Sequence, residues 1–114
     1  MAGKYVWIKL IAMSGERLEL EPRWWPAEEL CRDPRFTRTN ETGSYFDWDA
    51  KLTPAEFQEL HDRFLEATRG GLFADPGWQK VIAVKLQLID LALAGGIGTI
   101  DRCEVGVHEW ESGY

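Results

Sequence analysis

The longest apolar segment of the chain runs from Trp78 to Ala94, and its apolar residues recur at helical spacing. Asp75 and Pro76 are suited to begin a helix there, and the two glycines after Ala94 are suited to end it. Apolar side chains cover most of the helical circumference, which is typical of a helix that other elements bury. Alternation within the segment also fits a strand, but its length, alanine content and end signals favour a helix. We therefore predict a central helix that the rest of the chain surrounds.

Two strands joined by a tight turn are predicted at the N-terminus. Lys4–Met13 is rich in aromatic and β-branched residues and is apolar on both faces apart from Lys9, so we expect a central strand. Ser14–Gly15 suits a two-residue hairpin turn. Glu16–Glu21 alternates between leucines and charged residues, which predicts a strand with one face in solvent.

The middle of the chain carries weaker signals. A short helix is predicted over Ala27–Cys31, with an acidic pair in its first turn. The polar composition of Arg32–Ser44 predicts a long loop. Tyr45–Asp49 fits a short edge strand.

The second half of the chain predicts one more helix and one more strand. Thr53 and Glu56 form a capping-box pattern around a proline, so a helix is expected to begin there and to run to about Arg69. Thr99–Trp110 alternates as a strand, in which Gly106 suggests a bulge or a close backbone neighbour. The predicted class is α+β over a single domain, residues 1–114. We expect a small antiparallel sheet, made of the N-terminal hairpin and the C-terminal strand, packed against two main helices.

Composition narrows the classes of function. The chain of 114 residues is 45% hydrophobic and 28% charged, which is an ordinary globular balance, and its net charge is −6. That charge argues against direct nucleic-acid or anionic-membrane binding and permits a basic protein partner. We find no secretory signal or membrane span, and the spacing of Cys31 and Cys103 fits neither a zinc site nor a redox motif. The expected location is therefore the cytoplasm, with both thiols reduced.

Few residues are candidates for chemistry. His61, near the edge of an apolar helical stripe, is either a catalytic base or a partly buried structural histidine. His108 and Glu109 are adjacent in a strand and therefore point to opposite faces, which disfavours a shared metal ion. Asp47 and Asp49 share one side of the predicted edge strand, where they are either paired functional carboxylates or a solvated edge. We expect no metal and no cofactor.

Six tryptophans are the unusual feature of the chain. Trp7 and Trp78 belong to predicted core elements. Trp24, Trp25 and Trp48 lie in irregular or edge segments, where they either cap the open end of the sheet or form an aromatic recognition patch. With the nearby carboxylates, the predicted partner-binding residues are Trp24, Trp25, Tyr45, Asp47, Trp48 and Asp49.

The leading functional hypothesis is a small acidic binding module that neutralises a basic protein partner by steric and electrostatic blocking. In size, acidity and aromatic-rich loops the chain resembles small neutralising proteins, such as immunity proteins of bacterial toxins and phage-encoded inhibitors of bacterial defence. This resemblance is compositional, so no residue roles carry over from it. One alternative is a small enzyme or ligand-binding domain that uses Asp47, Asp49 and His61. Another is a structural homodimer held by exposed aromatics; both a monomer and a homodimer fit the sequence.

Overall fold

The computed structural model describes residues 2–42 and 45–111, with the side chains of residues 3–39 and 47–110. It contains five strands and three α-helices, and two short 3₁₀ helices, Leu65–Arg69 and Gly71–Ala74, join the second and third helices. The strands are β1 (Ala2–Ala12), β2 (Arg17–Leu20), β3 (Thr37–Thr42), β4 (Tyr45–Leu52) and β5 (Ile100–Glu111), and the helices are α1 (Ala27–Arg32), α2 (Pro54–Phe64) and α3 (Pro76–Leu93).

All five strands form one antiparallel sheet in the order β2-β1-β5-β4-β3. Alternate side chains of β1 and β5, such as Ile8 and Val105, are fully buried in a core that also contains Phe57 and Ile89 of the long helices. We call this the inner face and the opposite, solvent side the outer face. The predicted α+β class, with N- and C-terminal strands packed against two main helices, is confirmed.

The long loop predicted over Arg32–Ser44 is wrong, because this segment contains β3. β3 is an edge strand that pairs only with β4. Its threonines are β-branched and favour extended backbone, whereas its polar composition suits the solvent at the edge of a sheet. Ser44, the last residue of the predicted loop, lies outside the described residues.

The capping box at the start of α2 is present as predicted. The Thr53 hydroxyl accepts from the Glu56 amide at 3.2 Å, and the Thr53 amide donates to the Glu56 carboxylate at 3.0 Å. The hydrogen bond from the Thr53 amide is the largest cause that holds the pKa of Glu56 below its usual value, because it favours the ionised carboxylate. The α-helix ends at Phe64, and the chain continues to Arg69 as a 3₁₀ helix.

α3 begins at the predicted cap, where the Asp75 carboxylate accepts from the Gly77 amide at 2.9 Å. The prediction that other elements surround this helix is wrong. Ile82 and Ile89 are buried, but Val84 and Leu91 are 58% and 59% exposed. The domain has only two layers, so a helix that packs on the sheet leaves its opposite side in solvent. Within the described ranges 2–42 and 45–111, no helix is both long and apolar enough to cross a lipid bilayer.

Candidate functional site

The structure separates the residues predicted to bind a partner. Trp24 and Trp25 are each only 3% exposed. The Trp25 ring packs against Phe57 and Phe64 of α2, with ring centroids 5.5 and 5.3 Å apart. Both indoles therefore belong to the core, as the capping alternative expected, and they do not contribute to an exposed patch.

The remaining predicted residues lie on β4 and divide between its two faces. Trp48 points to the inner side, where it is half-buried against the core, and the guanidinium of Arg38 lies 5.8 Å from its ring centroid. Asp47 and Asp49 point to the outer face, since side chains alternate along a strand. The side chain of Tyr45 lies outside the described part of the chain.

The outer face carries an aromatic cluster that the predicted set does not include. β1 and β5 pair so that Tyr5 lies opposite His108 and Trp7 lies opposite Gly106. The Tyr5 ring centroid lies 5.3 Å from that of His108 and 6.1 Å from that of Trp110. Tyr5 and Trp110 are 36% and 37% exposed, so this cluster contacts solvent.

Two glycines determine how the indoles of this cluster lie. A β-carbon at Gly106 would overlap the Trp7 ring, and one at Gly3 would overlap the Trp110 ring. Each indole therefore lies close against the backbone of the neighbouring strand. The β1–β5 register continues through Gly106, so the close neighbour is an aromatic ring and the residue forms no bulge.

Carboxylates border the cluster on the side of β4. Nδ1 of His108 lies 2.6 Å from a carboxylate oxygen of Asp47. The Thr39 hydroxyl donates to the carboxylate of Asp49. Glu104, the next outward-facing acid on β5, accepts from Nε of Arg102 at 2.8 Å. On the outer face, the rings are therefore contributed by β1 and β5, and the carboxylates by β4 and β5.

These side chains surround an open cleft of about 400 Å³ on the outer face. Its lining combines three carboxylates with one lysine and several rings: Tyr5, Trp7, Asp47, Asp49, Ala50, Lys51, Glu104 and His108. Ring faces attract cations through the quadrupole of the π system, and carboxylates attract them directly. The chain itself provides an example, because Nζ of Lys9 lies 5.2 Å from the Trp7 ring centroid. The cleft is therefore suited to hold a positively charged group.

The arrangement does not resemble a closed metal site. Glu109 faces away from His108 and lies 3.8 Å from Nζ of Lys4, as expected for adjacent strand residues. Among the described residues, no group of three or more His, Cys, Asp or Glu is placed to hold a metal ion.

His61 is not part of the outer face. It lies on α2, is 3% exposed, and its Nε2 is 3.2 Å from a carboxylate oxygen of Asp90 on α3. The helices pack on the inner side of the sheet, so His61 is separated from Asp47 and Asp49 by the sheet itself. The structure does not assemble the three residues of the predicted enzyme alternative into one site.

The two cysteines, Cys31 and Cys103, are free thiols. Cys103 is buried on the inner face of β5, and burial raises its thiol pKa to about 12. Burial also raises the pKa of Cys31, which is half-buried in α1. Both groups therefore stay protonated at neutral pH and are poor nucleophiles.

No family model matches this chain, and no curated protein or solved structure is significantly similar to it. The description of the site therefore depends on its own residues. Tyr5, Trp7, His108 and Trp110 were not predicted to share one surface. The sequence did contain a signal for this surface. Tyr5 and Trp7 share one side of the first strand, His108 and Trp110 share one side of the last, and glycines lie where bulky rings face them across an antiparallel pair.

Proposed function

We propose that this protein is a binding module that holds a basic segment of a protein partner on the outer face of its sheet. The observation that carries the proposal is the open cleft between β1, β5 and β4, in which the rings of Tyr5 and Trp7 lie near the carboxylates of Asp47, Asp49 and Glu104. Aromatic rings supply large contact areas at low entropic cost, and they are enriched among the residues that dominate binding energy.

The chemistry of the cleft favours arginine or lysine as the central contact. A guanidinium or ammonium group of the partner can take the place of the Lys9 ammonium on the Trp7 ring while the carboxylate of Asp49 binds it from the side of β4. Each cation–π contact contributes about 0.5 to 2 kcal/mol, depending on how fully it is desolvated. The net charge of −6 adds a long-range attraction that raises the association rate with a basic partner.

The physiological role that we propose is neutralisation of the partner. A module that covers a basic surface blocks its access to other acidic molecules, including nucleic acids, by steric and electrostatic exclusion. We place this role in the cytoplasm, where thiols such as Cys31 and Cys103 remain reduced.

Surface plasmon resonance with immobilised protein tests the proposal. The analytes are arginine-rich and lysine-rich peptides, with glutamate-rich peptides of equal length as the negative control. Trp7→Ala should raise the dissociation rate, because it removes a ring from the cleft. Asp49→Lys should mainly lower the association rate and the salt dependence. Glu66→Lys makes the same charge change at an exposed site on the helical side and is the matched control.

The two charge reversals, Asp49→Lys and Glu66→Lys, distinguish attraction at the cleft from attraction by net charge. If Glu66→Lys weakens binding as much as Asp49→Lys, attraction is due to net charge and the cleft is not the site. If basic peptides do not bind at all, the proposed chemistry of recognition is wrong. Thermal unfolding of Trp7→Ala is measured in parallel, and Tyr5→Ala replaces it if the protein is destabilised.

A second candidate function is supported by the 2.6 Å contact between His108 and Asp47. A histidine that is oriented by a carboxylate and lies in an open cleft can act as a general base on water. The test is hydrolysis of activated ester and phosphoester substrates by the wild type, His108→Ala and Asp47→Asn. Turnover that both variants abolish would favour an enzyme, whereas a binding module predicts no turnover by any of the three.

A further inference from the structure

One flank of α3 exposes an apolar stripe that the binding cleft does not include. We call Val81, Val84, Leu88 and Leu91 the apolar flank; their exposed fractions range from 42% to 59%. They recur at helical spacing and extend over about 15 Å of the helix. Contiguous apolar surface of this kind usually marks an interaction site.

The apolar flank faces away from α2 and towards the β2 edge of the sheet. The other flank of α3 contacts α2 and its 3₁₀ extension, through Asp90 to His61 at 3.2 Å and through Gln79 to the Thr68 carbonyl at 2.6 Å. At 100° per residue, the apolar flank lies about 150° around the helix from these contacts. Lys85, between the apolar flank and the buried side, donates to the Glu21 carbonyl just beyond β2 at 2.7 Å.

The same edge of the sheet presents unpaired backbone groups. Among residues 2–42 and 45–111, β2 pairs only with β1. The Ala12 amide donates to the Glu16 carbonyl at 2.8 Å, which makes these two residues a hydrogen-bonded pair. Because such pairs alternate in antiparallel strands, the backbone groups of Leu18 bond to β1, while those of Arg17 and Glu19 point outwards.

We propose that a second copy of this chain covers both the apolar flank and the β2 edge of the sheet. A two-fold axis perpendicular to the sheet would pair β2 with β2 of the second copy, antiparallel and centred on Leu18. Arg17 and Glu19 form an ion pair within each chain, with 3.3 Å between Nε and the carboxylate oxygen. Across the axis, Arg17 of each copy also lies opposite Glu19 of the other, so the two ion pairs join in one network and the outward-pointing backbone groups satisfy one another. The same axis brings the two apolar flanks together above the joined strands.

The resulting dimer has one continuous ten-stranded sheet, twice the five strands of each copy. A two-fold axis perpendicular to the sheet keeps both outer faces on the same side. The dimer would therefore present two clefts side by side, and a partner with two basic segments would gain from multivalent binding. The dimer itself depends on none of the residues that line the cleft, so it is independent of the proposed function.

Sedimentation equilibrium over a range of protein concentrations tests the dimer, with Leu88→Glu as the disrupting variant. Leu88 is substantially exposed in the single chain, so the substitution should leave the fold intact. Because the charge occurs twice in a two-fold interface, we expect the dissociation constant to rise about 100-fold. Gln87→Glu adds the same charge to the exposed, polar side of the helix and should leave the dissociation constant within about threefold of the wild type.

The edge contact has a separate test in amide hydrogen exchange. The outward amides of Arg17 and Glu19 should be protected in the wild-type dimer and exchange rapidly in Leu88→Glu. Arg17→Glu should weaken the dimer about tenfold, and the double variant Arg17→Glu/Glu19→Arg should restore it, because the opposite charges face each other again.

Three results would overturn the proposal. The first is a wild-type protein that stays monomeric at all concentrations, which would leave the apolar flank for a different partner. The second is a dimer that Leu88→Glu does not affect. The third is rapid exchange of the Arg17 and Glu19 amides in a dimer. A monomer that still binds basic peptides would contradict only the dimer, and a dimer that does not bind them would contradict only the proposed function.

Discussion

The two faces of the sheet use tryptophan in opposite ways. On the inner side, Trp24 and Trp25 come from an irregular polar segment and are almost completely buried. On the outer side, Trp7 and Trp110 come from long regular strands and remain in contact with solvent. Local regularity therefore does not indicate which rings form the core. The direction in which a position points, relative to the layers of the domain, determines its burial.

The difference has a simple physical cause. β1 and β5 are interior strands of a sheet that the helices cover on one face, so only their inward-facing residues meet the helices. The segment after β2 crosses to the helical side, where Trp25 fills the space between the sheet and α2. An indole in such a space gains apolar contacts, whereas an indole on the outer face gains only those of the strand beneath it.

The largest difference in stability is expected between a carboxylate placed on the inner face of β1 and one placed on its outer face. Ile8→Asp buries an unpaired charge at a position with 0% exposure and should prevent folding, at a cost of about 5 kcal/mol or more. Lys9→Asp, one residue later on the outer face, should remain folded and lose about 1 to 2 kcal/mol, because it removes the contact with Trp7 and places a carboxylate opposite Glu19 and Glu104. Circular dichroism and chemical denaturation would compare them. A cooperatively folded Ile8→Asp protein would contradict the assignment of the two faces.

The second-largest difference in the free energy of unfolding is expected between a tryptophan on the inner side and one on the outer face. Trp25→Ala should lower the free energy of unfolding by about 3 to 5 kcal/mol, because it leaves a cavity against Phe57 and Phe64. Trp110→Ala removes a partly exposed ring and should cost less than about 1.5 kcal/mol. Equilibrium denaturation in urea would give both values. Equal losses would show that the outer rings contribute to the core as much as the inner ones.

A smaller effect is expected at the contact between ring and glycine on the outer face. Gly106→Ala places a β-carbon where the Trp7 indole lies, so the ring must move and about 1 to 2 kcal/mol of stability should be lost. The indole proton resonance of Trp7 should shift. Gly70→Ala is the matched control, since open space surrounds that glycine and its backbone is extended. If both variants behave alike, the indole does not lie against Gly106.

The smallest change in stability is expected at Asp33, which belongs to neither face of the sheet and therefore provides a baseline for the comparison. Arg35 hydrogen-bonds to the carboxylate of Asp33 and holds its pKa below the usual value. A lowered pKa in the folded state means that this contact stabilises the protein above the unfolded pKa and is lost as pH falls through the folded pKa. Asp33→Asn should therefore cost less than about 1 kcal/mol at neutral pH and flatten the loss of stability in acid. Parallel pH profiles of the two proteins would contradict this.

The sequence predicted the elements that carry their own local signals. The capping box at Thr53, the cap at Asp75, the aromatic and β-branched composition of β1 and the alternation of β5 each specify structure within a few residues. The α+β class follows from the order of these elements. β3 was missed because a polar edge strand is specified by its neighbour, and its composition matches that of a loop.

The candidate site was only partly predictable, since it depends on pairing between distant segments. Asp47 and Asp49 were placed correctly on one side of a strand from alternation alone. Their association with His108 required knowledge that β4 pairs with β5, a contact across 61 positions of sequence. The exposure of Leu91 likewise depends on how many layers the domain has, which the apolar pattern of α3 does not reveal.

The central claim is that the outer face of the sheet recognises basic groups. Its most direct test is heteronuclear NMR of the labelled protein titrated with an arginine-rich peptide. The account predicts progressive shifts of the amides and side chains around Tyr5, Trp7, Asp49 and His108, with the resonances of α2 and α3 unchanged. A glutamate-rich peptide should produce no shifts. The account would be contradicted if the arginine-rich peptide left the outer face unchanged at saturating concentration, or if the shifts mapped to the helices.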